Sequence, residues 1–119
     1  MVQEKTGLLT PADPISIFYG DVPEPLASQS AAALLPVSMY VFKTPAPAPA
    51  WADAAYSGRC AYLRCSKDAA IPGFLQDLMM NGSGVDWLVY TFETSHSPFL
   101  KCPSDVTHCL MTLAAEFQG

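Results

Sequence analysis

Two residues of this chain have the types and the spacing to share a proton. Asp68 follows the apolar run Cys60 to Cys65, and His96 follows the apolar run Trp87 to Phe92, 28 positions further on. Continuous apolar runs of this kind read as strands buried on both faces of a parallel sheet. If the two are parallel neighbours, both side chains stand at one edge of the sheet, where open α/β sheets place their chemistry. An imidazole there can take a nucleophile's proton, while a carboxylate fixes its tautomer and stabilises the imidazolium. The two groups are then expected to approach to about 2.6–3.2 Å.

Other readings attach to the same residues. Asp68 also suits a turn or cap ahead of Ile71-Pro72. Glu93 is an alternative carboxylate near His96, at a strand end that reads as facing solvent. Ser95 and Ser97 are too close in sequence to His96 to present a hydroxyl to its ring. His108 falls off the apolar face of its helix and reads as surface.

The elements that must position this pair are legible after residue 58. Cys60-Ala61-Tyr62-Leu63 reads as a strand. Pro72 suits the first turn of a helix whose apolar face is Phe74, Leu75, Leu78 and Met79, and Asn81-Gly82-Ser83-Gly84 stops it. With the strand beginning at Trp87, this makes a βαβ unit. The last helix opens at Pro103, with Asp105 at the positive end of its dipole. It carries an apolar stripe of Val106, Cys109, Leu110, Leu113, Ala114 and Phe117, and Gly119 ends it.

Composition changes before that point. Eight of the eleven prolines lie at or before Pro49. Residues 1–25 read as turns with at best a helical turn or two. Glu24 to Leu35 is alanine- and leucine-rich and reads as a helix closed by Pro36. Val37 to Phe42 fits helix or extended chain. The alternating prolines of Pro45 to Pro49 favour a stiff extended connection, and Trp51 to Tyr56 a short helical turn.

The bulk numbers narrow the partners. A chain of 119 residues is one domain at most or part of a larger one, yet 50% of it is hydrophobic and only 14% charged. It therefore carries apolar faces that a domain of this size has difficulty covering. The net charge is −5 with no basic cluster, so nucleic acid is not expected as a partner. No run approaches the ~20 apolar residues of a membrane span, and Met1 to Thr6 lack the apolar region of a signal peptide. Cys60, Cys65, Cys102 and Cys109 form no C-x-x-C pair. They read as reduced thiols of a cytoplasmic protein, and neither metal nor cofactor is expected.

Residues 59–119 resemble the C-terminal end of an α/β-hydrolase fold enzyme of the esterase, methylesterase and hydroxynitrile-lyase branch. The resemblance rests on Arg59 to Pro72, which is similar to the strand, acid turn and Ile-Pro helix start, with Gln76 and Met79 in family-like places. It rests equally on Ser95-His96-Ser97-Pro98-Phe99-Leu100-Lys101-Cys102-Pro103, which is similar to the histidine loop and the proline of the final helix. Residues 18–51 more loosely resemble the cap, through Phe18-Tyr19-Gly20-Asp21, Ala27 and the stretch ending at Trp51. The resemblance implies a partial α/β-hydrolase fold: a helical and irregular cap-like segment over residues 1–58, then a βαβα unit with two parallel strands over 59–119. It implies Asp68 as triad acid, His96 as triad base and a small acyl compound as substrate. Trp51, Phe42, Met79, Met80 and Phe99 then line an acyl or aromatic pocket, or are plain core.

The departure from the family is as informative. The family's nucleophile sits in a G-x-S-x-G elbow before the cap, with triad order Ser, acid, His. No G-x-S-x-G occurs here; Asn81-Gly82-Ser83-Gly84-Val85 comes nearest, but it lacks the first glycine and follows the acid. The early strands and half the oxyanion hole are missing as well. Two function classes follow. One is the C-terminal part of a serine hydrolase, inactive without its other half. The other is a non-catalytic remnant, or a partner-binding module that self-associates through its exposed strand edge. An upstream G-x-S-x-G in the same locus separates them.

Overall fold

The structure, a computed structural model, describes residues 2–3 and 7–118. Gly119 and most of the stretch from Met1 to Thr6 lie outside the described residues.

Three short strands open the chain. β1 (Val2–Gln3), β2 (Leu8–Thr10) and β3 (Val37–Ser38) form an antiparallel sheet in that order. This corrects the reading of residues 1–25 as mainly turns. Segments of two or three residues are too short to show a period of two, and what makes them strands is pairing, of β1 with nearby β2 and of β2 with distant β3, as in Leu9↔Val37. Met39–Phe42 then turns into a 3₁₀ helix, so Val37 to Phe42 is extended first and helical after.

Two short helices lie between β2 and β3. In α1 (Pro14–Phe18), Pro14 occupies the first turn and the Asp13 carboxylate accepts the Ser16 N–H at 3.2 Å. α2 (Leu26–Ala32) is shorter than the 24–35 expected. Pro36 disfavours helical geometry at Leu35, and the chain must straighten into β3. Tyr19, Val22 and Ala27 form a small core against which Phe18, Ala31 and Leu100 pack. After the alternating prolines come 3₁₀ turns at Ala50–Ala52 and Ala54–Tyr56.

The second half is a βαβα unit. β4 (Ala61–Cys65) and β5 (Leu88–Phe92) are parallel, in register from Ala61↔Leu88 to Cys65↔Phe92, with α3 (Gly73–Gly82) crossing between them. A one-turn helix, α4 (Pro98–Lys101), precedes α5 (Pro103–Gln118). The Arg64 guanidinium joins β4 to α3 through a bidentate pair with Asp77, Nε to Oδ1 at 2.7 Å and Nη2 to Oδ2 at 2.8 Å. That hydrogen-bonded pair holds the Asp77 carboxyl below its ordinary range. Gly73 leaves room for the guanidinium, since a Cβ there would lie 2.7 Å from Arg64 Nη2.

Two apolar faces are left without cover, as expected of a chain this short and this apolar. The apolar face of α3 points outward: Phe74 is 73% and Leu78 64% exposed, while Gln76 and Met80 are buried. Gln76 sets this rotation by bonding to β4, and nothing among the described residues covers the other side. β5 likewise leaves Leu88 and Val89 exposed, although its continuous apolar run implies cover on both faces. In α5 the buried stripe narrows to Val106, Cys109 and Leu113, with Leu110 exposed.

Global dimensions agree with incomplete cover. The radius of gyration is 16.3 Å, against ~13.5 Å for a compact domain of this length. The accessible surface is 8127 Å², against roughly 6,300 Å² from the usual mass scaling. No helix among the described residues is long and apolar enough to cross a membrane.

Candidate active site

The β4–β5 ladder continues past both strands. The Ser66 N–H donates to Phe92 O at 2.9 Å and the Lys67 N–H to Thr94 O at 3.0 Å. Both chains therefore break into loops at the same edge, and His96 Nδ1 lies 2.8 Å from Asp68 Oδ2. Asp68 Oδ1 accepts the N–H groups of Ala70 and Ile71 at 2.8 and 2.9 Å. One carboxylate thus stabilises the turn before Pro72 with one oxygen and meets the histidine with the other. A carboxylate only accepts, so the hydrogen of this contact belongs to Nδ1; in the neutral tautomer that does this, Nε2 carries the lone pair. The Asp68 side chain is 5% exposed and that of His96 35%. Among the described residues none hydrogen-bonds Nε2. The pair borders a cavity of about 300 Å³ that Ile71, Phe99 and Val106 also line.

Gln76 holds the acid turn from below. In a parallel pair, alternate residues of a strand direct their backbone groups to opposite sides. Cys60 O and Ser66 N bond to the β5 side, so Cys65 faces the other edge of β4. There Gln76 Oε1 accepts the Cys65 N–H at 3.1 Å, and Nε2 donates to Cys65 O at 2.9 Å and Ile71 O at 2.7 Å. The side chain stands in for a neighbouring strand at this residue and brackets the turn that carries Asp68.

Two residues of the N-terminal segment touch the histidine loop. Asp21 accepts the Ser95 N–H on Oδ2 at 2.8 Å, and the Ser95 hydroxyl donates to Asp21 Oδ1. The Phe18 ring lies against the imidazole, with centroids 5.3 Å apart. Sequence reasoning quoted Phe18 and Asp21 for their place in a cap-like segment and assigned them no role. Their partners lie more than 70 positions away, so no local pattern marks them.

The remaining candidates sort clearly. Ser83, in the nearest approach to a nucleophile elbow, donates to Met80 O and accepts from Val85 N and Trp87 Nε1. It precedes β5, while His96 follows it, so it lies at the opposite edge of the sheet. The Ser95 hydroxyl is engaged by Asp21. Glu93 is exposed and lies 3.9 Å from Lys67, and His108 is exposed. All four cysteines are free, and burial raises the Cys65 thiol above its ordinary pKa. Of the suggested pocket residues only Met80 is buried; Trp51, Met79 and Met80 line one apolar recess with Trp87, and Phe99 borders the histidine cavity. Among the described residues no cluster could hold a metal ion.

Neither a family model nor a curated protein matches this chain by sequence. Among solved structures, the crystal structure of polyneuridine aldehyde esterase is similar to it over 89% of this chain, with a TM-score of 0.70 at 18% identity. The chain spans 42% of the length of that structure's chain. Identity at this level speaks for the fold alone. The fold is a partial α/β-hydrolase fold, a cap-like segment followed by a βαβα unit.

Gln76→Ala leaves the buried Cys65 groups and the half-buried Ile71 carbonyl without this partner. At ~1–3 kcal/mol for each stranded group, partly rehydrated in the loosened edge, a loss of about 2–4 kcal/mol is expected. Gln76→Glu is expected to do no better, since a carboxylate cannot donate to the two carbonyls. Urea unfolding of the three proteins checks this.

Proposed function

We propose that this chain is the C-terminal part of a serine α/β-hydrolase acting on a small ester or similar acyl substrate. Residues 1–58 serve as its cap and 59–119 as its βαβα unit. His96 is the triad base and Asp68 the acid. The observation that carries this reading is the 2.8 Å contact of Asp68 Oδ2 with His96 Nδ1 at the carboxyl edge of a parallel pair. Supporting it are the free Nε2, the cavity beside it and the fold shared with a structure named an esterase. In such a site Nε2 takes the proton of a serine hydroxyl and later returns it to the leaving group, while Asp68 keeps the ring oriented. No described serine hydrogen-bonds Nε2, which supports the reading that this chain is inactive alone.

A purified sample is therefore expected to hydrolyse a small activated ester no faster than buffer does. A rate well above buffer that vanishes in His96→Ala would reveal a nucleophile within the chain, and an active-site-directed phosphonate would then label it.

A second reading has its own support. The outward faces of α3 and β5, with Phe74, Leu78, Leu88 and Val89 exposed, suit a non-catalytic chain that binds a partner or itself. Each such side chain left uncovered forfeits roughly 1.5–3 kcal/mol of burial, and strand edges of this kind pair with other chains. Size-exclusion chromatography is expected to give a concentration-dependent elution volume. A monodisperse monomer that unfolds cooperatively at several molar urea would contradict self-association.

A further inference from the structure

The histidine loop is held from an unexpected direction. Thr94, Ser95 and Ser97 are buried although all three are polar, and the Ser95 amide and hydroxyl both end on one carboxylate, Asp21. Asp21 sits in the turn after α1, where the Val22 N–H donates to Tyr19 O at 2.9 Å. The turn is itself anchored, because Tyr19 and Val22 are buried beside Ala27 and Leu100 of α4 packs on the same cluster. Four residues thus do linked things. Phe18 lies against the imidazole, Tyr19 and Val22 root the turn, and Asp21 grips the residue before His96. The two donors of Ser95 match the two acceptor oxygens of Asp21. Gripping an amide and a hydroxyl of one residue fixes its backbone and side chain together, and so the direction in which the next residue leaves.

We propose that Asp21 is a positioning residue: through Ser95 it sets the orientation in which His96 meets Asp68. This deepens the reading of His96 as a base held by Asp68, and rests on it. It also gives residues 18–22 a part in building the base, beyond covering a substrate. Asp21 touches neither the imidazole nor any reacting atom, so its effect must pass through Ser95.

The test is imidazole NMR on the full chain, which needs no turnover. With ¹⁵N-labelled histidine, wild type is expected to show His96 protonated at Nδ1, with a low-field Nδ1–H slowed in exchange by the Asp68 bond. Ser95→Ala removes one of the two bonds, and exchange of that proton is expected to quicken about 3–10-fold. Asp21→Ala removes both, each of them accepted by the carboxylate, and is expected to quicken it by roughly 10–100-fold or erase the signal. Asp21→Asn keeps an acceptor for the amide and is expected to recover most of the wild-type behaviour. Leu113→Ala, buried in α5 and outside the cluster that anchors the Asp21 turn, is expected to lower stability and leave the signal unchanged. If Asp21→Ala does not fold, Ser95→Ala and Asp21→Asn carry the test. Ser95→Ala with wild-type exchange, or Leu113→Ala losing the signal as Ser95→Ala does, overturns the positioning role. A wild-type His96 not protonated at Nδ1 would instead overturn the Asp68–His96 reading beneath it, so the two failures are distinguishable.

Discussion

Everything at the candidate site depends on one ladder of backbone hydrogen bonds. β4 and β5 run parallel and in register for five residue pairs, and the pairing persists through Ser66 to Phe92 and Lys67 to Thr94. Parallel strands end at the same edge, so two loops that share no local sequence are brought side by side. A one-residue slip of either strand would turn its side chains to the other face and separate Asp68 from His96. The turn after β4 is held by Asp68 itself and by Gln76, and the loop after β5 is held by Asp21. The contact between acid and histidine is thus the meeting point of two separately anchored loops.

The ladder explains what could be read in the sequence. β4 and β5 announce themselves as continuous apolar runs and α3 and α5 by their helical period, and the spacing from Asp68 to His96 follows from strand, helix, strand. The rotation of α3 could not be read, because an apolar stripe indicates a buried face only when the chain can cover it. Here the hydrogen bonds of Gln76 to Cys65 and Ile71 choose the inward face, and Phe74 and Leu78 are left outside. The N-terminal sheet was hidden for a different reason. Its strands have two or three residues, and β2 and β3 meet only through partners about thirty positions apart, so local propensity carries little trace of them. Asp21 was hidden likewise: a carboxylate between a glycine and a valine reads as an ordinary turn until Ser95 is seen against it.

The exposed apolar faces and the unoccupied reach of Nε2 are two sides of one property. In a doubly wound sheet, neighbours on each side supply both cover and catalytic groups. Two strands alone can align an acid and a histidine, but they cannot bury Val89 or Phe74, and they bring no serine to Nε2. On the proposed reading, neighbouring elements that covered these faces would also be the ones to bring a nucleophile. The Asp68–His96 contact survives because its anchors lie within the chain, in Gln76 below and in the cap-like segment above.

The most direct test of this arrangement is a measurement of through-hydrogen-bond scalar couplings in ¹⁵N,¹³C-labelled protein. Couplings from the Ser66 nitrogen to the Phe92 carbonyl carbon, and from the Lys67 nitrogen to the Thr94 carbonyl carbon, are expected. Their presence would establish that the parallel ladder runs past both strands and delivers the two loops to one edge. Couplings from either amide to a different carbonyl, or amides at both positions exchanging as freely as an unfolded chain, would contradict it.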